Sequence, residues 1–317
     1  MRIKSRDGES HKNYKSLWLD GLTVKVIDQR KLPFSFNILE LKTAGETLSA
    51  IRNGSIQGSI SVAVASAYAV AQAASEFDGS AYELFRLSVY GSADILTNEL
   101  DCPNVSVSVE QVLKSIKHLD SIELAKKAAF ASAEEVSSNY IDVCKRIGLR
   151  GGNLITTGSK ILIHCNGGAL GSVDFGTSLA PIRSAKILGR SFQVYIDKDC
   201  PGSNSWELSQ EGISVAAIPP LETGHIMRSG EIDFCMMAAE KADLNGDVYS
   251  SPGTYEKAVL SKEHSIPFYV ALPRSSVDTS GKKFQEDSGF VPSEYITAYI
   301  TEYGMFRPGN FKDLMQG

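Results

Sequence analysis

Between residues 160 and 271 short apolar runs alternate with longer amphipathic stretches, and this alternation restricts the fold more than any other feature of the chain. Strand-like runs at 160–164, 192–196, 214–218, 234–239 and 267–271 are separated by helix-like stretches at 174–188, 205–211, 223–229 and 254–264. Strand, helix and strand in succession predict a parallel sheet with helices on both faces. Ile161-Leu162-Ile163 is apolar at consecutive positions, as expected of a strand buried on both sides. The run ends in His164-Cys165-Asn166-Gly167-Gly168. A thiol and a glycine pair therefore stand at the carboxyl end of a strand, where ligands of open α/β sheets gather. The glycines let backbone amides approach a substrate with no Cβ between them. A cysteine beside a strand also packs well as a small hydrophobe, so this stretch alone leaves core and site both open.

Upstream the pattern differs. Leu17 to Asp28 reads as a hairpin turning at Asp20-Gly21, and 34–41 supplies a third strand. From Thr43 to about Tyr140 the apolar spacing is helical. Thr43-Ala44-Gly45-Glu46 can form a capping box, Gly54 to Gly58 interrupt the helix, and Pro103 marks a connection. The small apolar residues of 59–74 suit a closely packed helix. Gly148, Gly151 and Gly152 precede the alternating part, and 293–303 reads as a last helix ended by Arg307-Pro308-Gly309. The expectation is an α/β protein of two domains, as 317 residues exceed what one core usually holds. A small antiparallel sheet and helical domain occupies 1–147, and a Rossmann-like parallel-sheet domain carrying the site occupies 148–317.

Charge and composition exclude several functions. A net charge of -5 offers no basic face for nucleic acid. No run approaches the roughly 18 apolar residues of a membrane span, and the polar opening residues contain no signal peptide, which points to the cytoplasm. The five cysteines include no Cys-x-x-Cys pair, which fits reduced thiols and neither disulfides nor zinc. The histidines show no ligand spacing, so no metal is expected. No strand is followed by Gly-x-Gly-x-x-Gly and there is no Walker loop; no nucleotide or other cofactor is expected.

Several blocks, in order, resemble the S-methyl-5-thioribose-1-phosphate isomerases. Their relatives include archaeal ribose-1,5-bisphosphate isomerases and the regulatory subunits of the exchange factor for eukaryotic initiation factor two. The blocks are Val26-Ile27-Asp28-Gln29 with Leu32-Pro33, His164 to Leu170, Val173-Asp174-Phe175-Gly176-Thr177 and Trp206 to Gly212. Asn245-Gly246-Asp247-Val248, Gly253-Thr254-Tyr255, His264 to Val270 and Ser275-Ser276-Val277-Asp278 complete the set. The resemblance implies conversion of a cyclic aldose 1-phosphate, such as a modified pentose phosphate, to the open ketose. It implies Cys165 and a carboxylate at Glu240 as the acid/base pair, with Asp243 as the alternative carboxylate. It also implies ligand contacts from Gln57, Gly58, Ser59, Asn166, Gly167, Asp199, Asn245, Gly246, Ser251 and Gly253.

Here the chain departs from the family pattern. Gln57 stands for an arginine, Ser251 for a lysine and Asp199 for a glutamine, and the second arginine block is unrecognisable around Gly91 to Ile95. A phosphate dianion ordinarily draws on such cations, so the resemblance also accommodates a non-catalytic ligand-binding or regulatory protein on the same fold. It further implies a homodimer through the carboxy-terminal domain, for which the apolar stretch 173–188 is a candidate face.

Overall fold

The computed structural model describes residues 1–4, 11–164, 167–198, 204–281 and 289–316. In chain order it contains β1 (Arg2–Lys4), β2 (His11–Asn13), β3 (Leu17–Asp20), β4 (Thr23–Ile27) and β5 (Ile38–Leu41). Five helices follow: α1 (Ala44–Arg52), α2 (Ser59–Glu76), α3 (Tyr82–Glu99), α4 (Pro103–Ile116) and α5 (Ile122–Gly152). The alternating part comprises β6 (Lys160–His164), α6 (Leu179–Ile187), β7 (Gln193–Asp197), α7 (Asn204–Gln210), β8 (Val215–Ile218), α8 (Thr223–Arg228) and β9 (Phe234–Ala238). It ends with β10 (Lys241–Ala242), β11 (Val248–Tyr249), α9 (Thr254–Glu263), β12 (Phe268–Ala271), β13 (Phe290–Val291), β14 (Ala298–Ile300) and β15 (Met305–Phe306). The chain divides into two compact units. One is Lys15–Asp142 with Leu170–Val173; the other is Met1–Tyr14, Val143–Ala169 and Asp174–Gly317.

In the helical unit β3, β4 and β5 form the expected antiparallel sheet. Leu17 pairs with Val26 and Asp20 with Thr23, so the turn residues are Gly21 and Leu22, one place later than the sequence suggested. Gly21 takes the turn at φ 63°. The capping box forms: Glu46 N donates to Thr43 Oγ1 at 3.1 Å, and Thr43 N donates to Glu46 Oε2 at 3.3 Å. α2 is buried almost all round from Ile60 to Ala74, which its alanines and serines permit by letting neighbouring helices approach closely. The buried Gln72 side chain is satisfied by Thr47 Oγ1 at 2.6 Å and Leu41 O at 2.9 Å. Gly91 to Ile95 lie inside α3, whose inner face is Phe85, Val89, Ala93 and Leu96. Pro103 begins α4 at its first turn, where a missing N–H costs nothing.

The other unit is built on a sheet in the order β15-β14-β12-β9-β6-β7-β8. Its pairings are parallel except that of β14 with β15. Leu162 joins one apolar cluster, with Cys235, Met237, Phe268 and Val270. Ile161 and Ile163 join a second, with Phe234, Met236, Leu179 and Ile182. Alternate residues of one strand thus feed two cores, which explains the continuous apolar run. β7 and β8 extend the sheet to one side of β6, and β9, β12 and β14 extend it to the other. Strand order therefore reverses between β6 and β9.

Three expectations are corrected. Residues 293–303 form no helix: a single 3-10 turn, Ser293–Tyr295, leads into β14. Ala298, Tyr299 and Ile300 are buried at consecutive positions, the requirement of a strand covered on both faces, and a run this short carries no period that tells helix from strand. Arg307-Pro308-Gly309 accordingly opens a 3-10 helix, Pro308–Met315, and ends nothing. The apolar stretch 173–188 is no free face, since Val173, Leu179, Ala180, Ile182 and Ala185 are buried; Ile187 and Leu188 are its exposed part.

The glycines at 148, 151 and 152 belong to a helix. They occupy the last turns of α5, where a Cβ on Gly148 would lie 2.7 Å from Ser184 Oγ and one on Gly151 would lie 2.6 Å from the Pro181 ring. They allow α5 and α6 to pack closely, and the division between units falls at 142/143, within α5.

Candidate active site

The carboxyl ends of β6, β9 and β7 define the edge where this site is built. β6 and β9 are adjacent, with His164 opposite Met237, and ligands of open α/β sheets settle where strand order reverses. Of the residues singled out in the sequence, Cys165, Asn166 and Asp199 lie outside the described residues. Gln57, Gly58 and Ser59 belong to the helical unit. There Gln57 Nε2 donates to Gly54 O at 2.8 Å, and Gly58 caps α2 at φ 88° without a side-chain bond. A Cβ at Gly58 would lie 2.4 Å from Gly171 Cα, so this position accepts only glycine.

Glu240 stands two residues beyond β9, its amide donating to Tyr249 O at 2.9 Å. The side chain is solvent-accessible, yet enough protein surrounds it that desolvation raises its carboxyl pKa, against a smaller lowering by Lys241. An accessible carboxyl that holds its proton above the usual range is suited to donate or accept one in a reaction. Asp243 is differently employed. Its Oδ1 accepts from Asn245 N at 2.8 Å and Asp247 N at 3.0 Å, and its Oδ2 accepts from Asn245 Nδ2 at 3.1 Å. Asp243 thus closes the turn between β10 and β11. Gly246 sits in that turn at φ 89°, with its carbonyl accepting from Tyr299 OH at 2.6 Å.

Ser251 and Gly253 form the entry to α9. Ser251 O accepts from Thr254 Oγ1 at 2.8 Å, and Ser250 Oγ donates to Ala238 O at 2.8 Å, tying this turn to the end of β9. Gly253 takes φ 92°.

Two groups of buried charge at this edge went unnoticed in the sequence. In the first, Glu207 accepts from Ala169 N at 2.7 Å and from Arg183 Nη2 at 2.8 Å through the same oxygen. Arg183 also donates to Phe175 O at 2.7 Å and to Glu211. A Cβ on Gly168 would come within 2.5 Å of the Glu207 carboxylate, so the glycine pair serves loop packing as well as access. In the second, Asp197 is paired with Lys257 at 2.6 Å and His164 at 3.1 Å. Burial alone would raise the pKa of Asp197; hydrogen bonds from His164 and Lys257 outweigh it and bring the value to about 2. The only signal for either group is charge in stretches that are otherwise core-forming. Among the described residues no group of three or more His, Cys, Asp or Glu is placed to hold a metal ion.

A family model for the initiation factor 2 subunit family matches residues 55–289, well over half of the chain. The chain belongs to the initiation factor 2 subunit family. This family member is 31% identical over 336 residues to the methylthioribose-1-phosphate isomerase of Roseiflexus castenholzii, an alignment covering 93% of this chain and 95% of that protein. Among solved structures it resembles translation initiation factor eIF-2B subunit delta from A. fulgidus, with TM-score 0.83, 27% identity, and coverage of 96% and 100% of the two chains. The fold is also that of 5-methylthioribose 1-phosphate isomerase from Pyrococcus horikoshii OT3, with TM-score 0.84, 24% identity, and coverage of 96% and 95%.

Proposed function

We propose that this chain is an aldose–ketose isomerase acting on a cyclic pentose 1-phosphate of the methylthioribose type. The observation that carries the reading is Glu240: a solvent-accessible carboxyl with a raised pKa, at the end of the strand beside the one that Cys165 follows. The name of the Roseiflexus castenholzii relative, at 31% identity over nearly all of both chains, supports it.

Isomerisation requires a proton on the ring oxygen as its bond to C1 breaks. Hydrogen must then move from C2 to C1 while the C2 hydroxyl loses its proton to become the carbonyl. Cys165 and Glu240 share these proton movements, one as acid and the other as base. The oxygens of Asp243 already hold the β10–β11 turn, which supports Glu240 for the role. Asn166, Gly167, Ser251 and Gly253 supply neutral contacts to the ligand. The substrate is held without the arginine and lysine of the family pattern at 57 and 251, and with Asp199 adding an acid.

Purified protein incubated with 5-methylthioribose 1-phosphate should form the ketose, read by NMR of the product. Cys165→Ser and Glu240→Gln should each lower kcat by about 10²-fold or more, the range for losing a general acid or base. Full activity in both variants would overturn the assignment. The likeness to eIF-2B subunit delta favours a second reading, a non-catalytic regulatory protein, which would be supported by ligand binding with no turnover. The working protein is a homodimer. Its place is the cytoplasm, where Cys165 stays reduced; among the described residues no helix is long and apolar enough to cross a membrane.

A further inference from the structure

The connection from β6 to α6, which carries Cys165 near its start, does not stay in one unit. Leu170–Val173 belong to the helical unit, whereas Ala169 and Asp174 on either side belong to the other. Within the helical unit this short segment is held at Leu170, Gly171 and Val173, and Ser61 of α2 serves all three. Ser61 Oγ donates to Leu170 O at 2.9 Å and accepts from Val173 N at 2.9 Å. Ser61 N donates to Gly171 O at 3.0 Å, so the loop supplies an acceptor at the start of α2, a helix with no side-chain cap of its own. Gln29 Nε2 adds a bond to Leu170 O at 2.9 Å, and Ser16 N one to Val173 O at 2.7 Å. A serine hydroxyl gives one hydrogen and accepts others. Ser61 does both toward the loop and is 0% exposed, where water cannot replace either partner.

The segment so held is strained. Val173 lies at φ 64° and is fully buried. The left-handed region crowds Cβ against the backbone, and a β-branched residue there is a genuine outlier. Such a conformation persists only where its surroundings enforce it, and residues held in this way cluster at functional sites. Here the enforcing bonds stand on both sides of the strained residue, Ser61 Oγ on Val173 N and Ser16 N on Val173 O. Phe175 is also at positive φ, 68°, and its carbonyl accepts from Arg183 Nη1 at 2.7 Å. A connection whose only task is to join a strand to a helix needs neither the strain nor a buried hydroxyl at its middle.

We propose that Ser61 is a positioning residue for the isomerisation: by keeping Val173 in its strained conformation it sets the course of the loop that carries Cys165. The role rests on the isomerase reading. Ser61 takes no part in bond making; it acts through the Leu170–Val173 backbone.

Ser61→Ala removes both hydroxyl bonds. Ser61→Ala/Val173→Gly adds a residue for which φ 64° costs nothing. With 5-methylthioribose 1-phosphate as substrate, Ser61→Ala should lower kcat about tenfold with little change in KM, the size expected when one strained residue is released. The double variant should recover to within about threefold of wild type, a coupling that two independent losses of stability would not give. Alkylation of Cys165 by iodoacetamide, read by mass spectrometry, is independent of turnover. Its rate should rise about threefold or more in Ser61→Ala and return in the double variant. Cys144 and Cys235 are buried and serve as the control: equal acceleration at all three cysteines would show general loosening and overturn the proposal. Gln29→Met, at a half-buried position, removes one bond to Leu170 O and should move both readouts the same way; it carries the test if Ser61→Ala does not fold. Wild-type kcat and wild-type alkylation in the folded variant would overturn the proposal, as would a double variant no better than Ser61→Ala. The expected alkylation pattern without turnover of the sugar phosphate, even by wild type, would instead sink the isomerase reading and leave the hold of Ser61 on the loop standing.

Discussion

Glu240 and Asp243 are three residues apart and look alike in the sequence, yet the structure gives them opposite employment. Asp243 spends its oxygens on the amides of Asn245 and Asp247 and the side chain of Asn245. Glu240 reaches solvent, yet the protein packed around it raises its pKa. A carboxyl whose folded pKa exceeds its unfolded value binds more protons in the folded state. Stability therefore falls as pH rises from the unfolded value through the raised one. Glu240→Gln removes that burden. It should raise Tm at neutral pH while lowering turnover, and the Tm gain should vanish below the unfolded carboxyl value; a thermal melt series across pH reads both. Equal melting of the two proteins at neutral pH would show that desolvation is not felt there. The sequence offered both carboxylates as candidates. Choosing between them needed the turn that one of them closes.

At the scale of elements, the loop after β6 depends on residues far away in the chain. Glu207 on α7 accepts the amide of Ala169 and pairs with Arg183 on α6 at 2.8 Å, with both side chains nearly fully buried. Glu207→Ala would leave the Arg183 guanidinium short of a counter-charge and Ala169 N without its acceptor. The expected loss is about 3–5 kcal/mol, the cost of breaking a buried pair, read as a lower urea midpoint. A loss under about 1 kcal/mol would show that Glu211, the other carboxylate on Arg183, suffices. The sequence identified Trp206-Glu207-Leu208 only as a block of resemblance, because a charge inside a helical stretch is solvated by default. The same limit applies to Gly148, Gly151 and Gly152. Their lack of side chains reads as a break until α6 is seen against them.

At the scale of the molecule, the homodimer is expected to appear in light scattering at micromolar concentration as a particle of twice the 34.3 kDa chain mass. A monomer under those conditions would count against it. The contact surface is not the 173–188 stretch as a whole, since most of its apolar side chains are buried in this chain.

The alternation of 160–271 sufficed for the sheet and the helices on its two faces, because buried parallel strands and crossover helices leave separate periods in a sequence. Thr43 and Glu46 likewise announced the start of α1, since a capping box lies within four residues. Tertiary structure alone decided that 298–300 is a strand, that Asp243 bonds the β10–β11 turn, and that His164, Asp197 and Lys257 meet. Those outcomes depend on pairings between distant segments: three apolar residues become a strand when β12 offers an edge, and three scattered polar side chains become a cluster when β6, β7 and α9 converge. Local sequence carries local periods and caps; it carries no record of which distant group will stand beside a given side chain.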